Sequence, residues 1–364
     1  MNLRYSQENI LHEAKRLAHD IRKLKVESLP VHESVKSYFR FDLGKLDYVS
    51  ECNAFMLYHC LSDRNEIHPD MVIVDHGAGI GFFALLVCRM GLQCICHDIS
   101  NEYIEGIKIL GQHLDAEPEH FVVGDTHHLI TYCTNQRIRP IALASRNVIE
   151  HLPDYRSFFK EIHKLSSPGF SMVLTTSANQ HNPLVLAIHR KIHHRYEHVG
   201  SNTDMDNPTL NTANCGIKIR TKIIQDTFPE IDSENLANLA ILTRGYLQNE
   251  IIQQVKEFQL TARYPIPIKH PSNTRDPITG AWVERLVAVS EYRKAANEAG
   301  FKFETQLGFY NTYYTKFYKN FLTKILNRLL PYLPQTWVAL SPFLAMKLST
   351  PNKDSQLSKN IESK

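Results

Sequence analysis

Val72-Ile73-Val74-Asp75-His76-Gly77-Ala78-Gly79-Ile80-Gly81 is the stretch on which the reading of the fold turns. A short apolar strand runs into a glycine-rich turn, and Phe82–Met90 then reads as a helix. Glycine lets the backbone turn tightly and approach a ligand closely, because no Cβ stands in the way. In an open parallel sheet the carboxyl end of the first strand borders the point where strand order reverses, and ligands bind there.

Working outward, strand and helix patterns alternate. Strands are expected at Met71–Asp75, Gln93–Asp98, His120–Gly124, Ile141–Ser145 and Ser171–Thr176, with helices at Tyr103–Leu114 and Tyr155–Leu165. This rhythm predicts an α/β domain whose parallel sheet carries helices on both faces. Ahead of it, residues 6–25 place Ile10, Ala14, Leu17, Ala18 and Ile21 at helical spacing, and 46–62 give a second helical stretch. Residues 1–68 therefore read as a helical N-terminal extension, a cap over the ligand site.

After the fifth strand the rhythm stops. Residues 180–282 are rich in His, Asn, Pro and Thr, with one amphipathic helix expected near 234–258. The pattern resumes with a helix at Glu284–Ala299, ended by Gly300 as a C-cap, and strands at Phe301–Phe309 and Phe343–Ser349. The expectation is one domain, 69–349, holding an insertion at 180–282. The polar tail 350–364 is expected to be disordered.

The chain has 364 residues, 43% hydrophobic and 22% charged, with a net charge of +3. That is too weakly basic to point to nucleic acid. The cysteines number seven, with no Cys-x-x-Cys pair, and suggest a reducing compartment without disulfides. Met1–Glu13 lacks a signal-peptide pattern and no apolar run is long enough to span a membrane, so the expected location is the cytoplasm.

The ligand is constrained by three strand ends. Phe82 occupies the place of the last glycine in G-x-G-x-x-G. Asp75 precedes the first glycine by two positions, where a carboxylate would repel a pyrophosphate but attract an ammonium. Asp98 ends the second strand about 20 positions on, where an acidic residue can accept both hydroxyls of a ribose. Gly124-Asp125-Thr126 closes the third, and Asp125 can accept from an adenine amino group. Asp98 and Asp125 also have a plainer reading, as caps of the helices that follow.

These residues resemble the class I S-adenosylmethionine (SAM)-dependent methyltransferases, in particular the small-molecule branch that includes ubiquinone-biosynthesis O-methyltransferases. The resemblance rests on Val74–Gly81, on Arg146-Asn147-Val148-Ile149-Glu150-His151-Leu152-Pro153-Asp154, and on residues 157–179. It is firm over about 72–180 and looser over 284–349. It implies a Rossmann-like sheet of seven strands, the last antiparallel and inserted beside the fifth. It also implies SAM as cofactor, held by Asp75, Gly77, Ala78, Gly79, Gly81, Asp98, Ile99, Asp125, Thr126 and Asn147. In that arrangement Asp75 lies near the methionine end, Asp98 on the ribose, Asp125 and Thr126 at the adenine, and Asn147 on the sulfonium side. One departure stands out: the family's acidic residue in strand four falls where Ala142 or Ala144 stands.

Transfer of a methyl group to oxygen needs a base, and a histidine suits because its pKa is near working pH. His151, on the loop after strand four, is the first candidate and His181 the second; a structural role for His151 is the alternative. The pairs His189/His193 and His194/His198 are spaced i, i+4, but interleaved basic residues argue for a solvated or substrate-contacting face. No metal ligand is assigned. The expected acceptor is a small molecule, a glycan or a lipid-linked intermediate. Residues 313–330 form a basic amphipathic helix whose stripe either packs internally or meets a membrane surface. Two rival readings remain: a SAM-binding regulator or scaffold without catalysis, and a nicotinamide-dependent oxidoreductase.

Overall fold

The computed structural model describes residues 3–200, 215–269, 272–334 and 337–351. Most of the expected tail, 352–364, lies outside the described residues. The chain divides into two compact units: 1–149, 154–176 and 289–364 form the first, and 150–153 with 177–288 the second.

The first unit begins with three helices, α1 (Gln7–Lys23), α2 (Glu33–Leu43) and α3 (Leu46–Leu61). Ser6 caps α1 by accepting from the N–H of Asn9 at 3.3 Å, and the predicted stripe from Ile10 to Ile21 is buried. The sheet unit follows as β1 (Val72–His76), α4 (Phe82–Arg89), β2 (Gln93–Asp98), α5 (Asn101–Leu114), β3 (His120–Val123), α6 (Thr126–Gln136), β4 (Ala142–Arg146), α7 (Tyr155–Leu165) and β5 (Ser171–Thr176). The second unit supplies α8 (Pro183–His198), α9 (Gly216–Thr227), α10 (Ser233–Leu242) and α11 (Gln248–Thr261). The chain then returns to the first unit through α12 (Val289–Glu298), β6 (Lys302–Leu307), α13 (Phe317–Leu329) and β7 (Leu344–Ser349).

The seven strands lie in the order β3-β2-β1-β4-β5-β7-β6. β1 to β5 run parallel, whereas β7 pairs antiparallel with both β5 and β6. This is the seven-stranded, Rossmann-like sheet that the sequence implied. All five residues of β1 are buried, as a central parallel strand covered on both faces requires. One hydrophobic core joins α1–α3 to β1, β2 and β4.

Several expectations need correction. The one helix expected near 234–258 is two helices, because Gly245 takes φ +90° between them. The helix expected from Glu284 starts at Val289. The sequence pattern does not single out α2, α6 or α9, and α8 is foreshadowed only by the i, i+4 spacing of its histidines. α8 in fact carries a strong start signal: Asn182 Oδ1 accepts from the N–H groups of Leu184 and Val185, and Pro183 stands at the first turn. Its histidine-rich composition masked that signal.

Candidate functional site

The glycine turn is built on backbone that only glycine adopts freely. Gly77, Gly79 and Gly81 have φ of +69°, +56° and +76°. A Cβ on Gly77 would stand 2.4 Å from Val148 Cγ2, and one on Gly79 would stand 2.8 Å from Tyr38 Cε1. The turn is therefore gripped between the residue after Asn147 and a tyrosine of the N-terminal extension. Tyr38 was missed because α2 was not recognised. Val35 and Phe39, both buried and spaced i, i+4, were the available clue.

Three strand-end carboxylates meet around this turn. Asp98 is buried; its Oδ2 accepts from the N–H of Gly79 at 2.8 Å and its Oδ1 from the N–H of Ser100 at 2.9 Å. Burial pushes its pKa up, against these two backbone donors. Asp75 is buried at the foot of the turn, where its Oδ2 accepts from the N–H of Ala84 at 3.1 Å. Burial raises its pKa to about 7, outweighing that hydrogen bond. Among the described residues no lysine or arginine forms an ion pair with it. A carboxyl held this way is suited to meet a cationic ligand group.

Asp125 stands exposed at the start of α6. It caps that helix by accepting from the N–H of His128 at 3.1 Å, and it also pairs with His128 Nδ1 at 2.7 Å. The capping alternative is thus realised, with the outer face of the carboxylate left in solvent. Ile99, 53% exposed, offers an apolar surface beside Asp98. Thr126 Oγ1 lies 3.4 Å from His76 Nε2. His76 and His97 stack at 4.9 Å under the strand ends, and burial depresses both pKa values, His97 to about 4. Both rings are therefore neutral, a floor without charge. Asn147 takes φ +56° at the end of β4, its N–H bonded to Thr175 O at 2.8 Å. The sequence-assigned residues of the first unit thus converge at the carboxyl ends of β1, β2, β3 and β4, where the strand order reverses.

A second cluster lies within the other unit. Residues 150–153 are strapped to 282–285: the N–H of Trp282 donates to His151 O, its Nε1 to Pro153 O, and the N–H of Arg285 to Glu150 O. His151 Nδ1 lies 2.9 Å from Trp282 O. A carbonyl only accepts, so Nδ1 carries the proton and Nε2 of the neutral ring has its lone pair available. That Nε2 is 3.9 Å from Glu284 Oε1. Glu284 sits in the left-handed region at φ +41°, a costly conformation for a residue with a side chain.

α8 holds Glu284 in place. His189 Nε2 lies 3.2 Å from Glu284 Oε2, and His193 Nε2 lies 3.1 Å from Glu284 O. His189 Nδ1 also faces a carbonyl, Val185 O, at 3.0 Å. Burial opposes charge on both partners, yet their mutual hydrogen bond raises the pKa of His189 and lowers that of Glu284. The pair is an imidazolium and a carboxylate. The expectation of a solvated histidine face therefore fails for His189 and His193, which are buried to receive Glu284; His194 and His198 are exposed. Glu150, His151 and Glu284 each present a ligand atom within 4.8 Å of the others, so this cluster could also hold a cation. Sequence gave no sign of it, because Glu284 joins the other two only through the fold. His181 is exposed on the loop before α8, and partial desolvation lowers its pKa.

Residues 74–174 match the family model described as a methyltransferase domain. No curated protein matches the chain. Among solved structures it is similar to a candidate sarcosine dimethylglycine methyltransferase from Galdieria sulphuraria, at 12% identity and TM-score 0.42, covering 88% of this chain and 99% of that one. It is also similar to phosphoethanolamine N-methyltransferase 2 of Haemonchus contortus in complex with SAM, at 13% identity and TM-score 0.39, covering 87% and 57%. A third is the YcgJ protein of Bacillus subtilis, at 12% identity and TM-score 0.37, covering 79% and 94%. The segment that carries the glycine turn and the three strand-end carboxylates is a methyltransferase domain.

Proposed function

We propose that the chain transfers the methyl group of SAM to an oxygen of a small-molecule, glycan or lipid-linked acceptor, within the branch that includes the ubiquinone-biosynthesis O-methyltransferases. Bound SAM supplies an electrophilic methyl on a sulfonium, so the protein's work is to place the acceptor, exclude water and take a proton. The glycine turn of Gly77, Ala78, Gly79 and Gly81 lets the cofactor's tail approach the backbone. Asp75 faces the ammonium, whose charge would pull the carboxyl back to its ionised form. Asp98 takes the ribose hydroxyls, Ile99 and Asp125 with Thr126 frame the adenine, and Asn147 lies on the sulfonium side.

His151 serves as the base. Its Nδ1–H is anchored on Trp282 O, which leaves Nε2 to accept the acceptor's proton, and Glu284 stabilises the resulting imidazolium. The observation that carries this reading is that fixed tautomer beside a carboxylate, on the segment that follows strand four. It is tested by following transfer from labelled SAM to hydroxyl-bearing and amine-bearing acceptors with the native chain and with His151→Gln. Transfer to amines alone, or full activity in the variant, would overturn it.

A further inference from the structure

We infer that α13 is an anchor that seats this protein on a bilayer surface carrying anionic lipid. The helix is built inside out. Its inward side is polar: Asn320 Oδ1 accepts from the N–H of Tyr314 and its Nδ2 donates to Tyr314 O, both at 2.6 Å. Asn327 does the same to Tyr310, at 2.7 and 2.8 Å. Thr323 is the buried residue between them. These side-chain amides copy the pairing of a neighbouring strand, and they fasten the helix to the segment before it.

The apolar side is turned to solvent. Phe317 is 83% exposed, Phe321 60% and Leu322 57%, with Ile325 and Leu329 continuing the stripe. A surface helix of a globular protein ordinarily shows the opposite pattern, and a contiguous exposed apolar patch marks a docking surface. The stripe anticipated at 313–330 is real and mostly turned to solvent, with Leu326 half-buried and Leu330 buried at its end; ahead of the helix, Tyr313 donates to Glu51 of α3.

Charge and aromatic content identify the occupant. Between Glu304 and Asp354 the sequence has no acidic residue. At 100° per residue, Lys324 and Arg328 flank the apolar stripe on one side and Lys319 on the other; all three are exposed. Tyr318, Tyr332 and Trp337 are also exposed, apolar bodies with a polar tip that suit the headgroup level. No helix among the described residues is long and apolar enough to cross a membrane, so α13 lies in the interface. The docking stands independently of the acceptor reading; taken with it, the acceptor is the lipid-linked one.

The test is co-sedimentation of the full chain with vesicles of phosphatidylcholine alone and with about one third phosphatidylglycerol, at low and high salt. We expect binding to the anionic vesicles that falls with salt. Phe317→Ser/Phe321→Ser/Ile325→Ser changes exposed side chains only and should weaken it at least about tenfold. Lys319→Glu/Lys324→Glu/Arg328→Glu should reduce it to the level of neutral vesicles. Circular dichroism and calorimetric SAM titration of each variant confirm an intact fold, and the titration reports on the methyltransferase site separately. Failure of the native chain to sediment with anionic vesicles would overturn the anchor, as would undiminished sedimentation of the serine variant. A dimer seen by light scattering, lost in the serine variant and without vesicle binding, would assign the face to a second copy.

Discussion

The N–H of Gly79 donates a 2.8 Å hydrogen bond to Oδ2 of Asp98, so the turn after the first strand is tied to the end of the second. The carboxylate proposed to hold the ribose also sets the shape of the loop proposed to pass beneath the cofactor. Asp98→Ala strands the N–H groups of Gly79 and Ser100 together, and each unpaired buried donor costs about 1–3 kcal/mol. The variant should lose thermal stability and bind S-adenosylhomocysteine at least about tenfold more weakly. Calorimetry that returns the native affinity would remove Asp98 from the site.

Gly77 and Gly79 differ in what opposes them. Alanine at either pays about 1–2 kcal/mol for the left-handed backbone, then meets Val148 or Tyr38. Tyr38→Ala should relieve part of the damage in Gly79→Ala and none of it in Gly77→Ala. A double-mutant cycle on unfolding free energy measures this, and additive effects of the Tyr38 and Gly79 changes would contradict the close approach.

Asp75 makes a pH prediction. Its folded pKa, about 7, lies above the value of about 3.9 in an unfolded chain. Between those values the unfolded chain releases a proton that the folded chain keeps. The Asp75 contribution is therefore full below about pH 4 and is lost as pH rises through about 7. Asp75→Asn should remove that slope, gaining stability on the native apo protein across this window by up to a few kcal/mol (about 1.4 per unit of pKa). If the carboxylate meets the SAM ammonium, the same variant binds SAM more weakly, and native affinity rises with pH up to about 7. Titrations at pH 5.5 and 8 with equal affinities would exclude that contact.

For His151→Gln, kcat should fall about 100-fold or more while SAM affinity stays unchanged. Glu284→Gln should lower kcat less, because it removes only the carboxylate beside the ring. Activity should survive a chelator wash. Loss on chelation, with recovery on adding a divalent cation, would instead make Glu150, His151 and Glu284 ligands.

In the second unit, Arg220 and Glu197 form a fully buried ion pair, with Arg244 at 3.5 Å and Ala240 O accepting from Arg220 Nε at 2.7 Å. Glu197→Gln leaves the guanidinium buried without its counter-charge, a change that costs about 3–5 kcal/mol. Chemical denaturation should show this loss. A midpoint unchanged from the native chain would mean the pair is not buried in solution.

Much of the fold was legible because the strands are continuous apolar runs with glycine, aspartate or asparagine at their ends. Gln93–Asp98, Tyr155–Leu165 and Ser171–Thr176 were located to the residue. α8 and α9 were not, because their buried faces carry histidine, glutamate and arginine. His189, His193, Glu197 and Arg220 look like surface residues until their partners are known.

The sequence by itself determined where the first strands end and which residues stand at those ends. A turn with positive φ at three positions demands glycine, and an acidic residue at a strand end is visible without knowledge of its neighbours. Tertiary structure alone decided what those groups face. It set Tyr38 against Gly79, Asp98 on a backbone N–H, Glu284 between His151 and His189, and the apolar stripe of α13 toward solvent. Periodicity records which residues share a face; which way the face points depends on contacts between segments far apart in the chain.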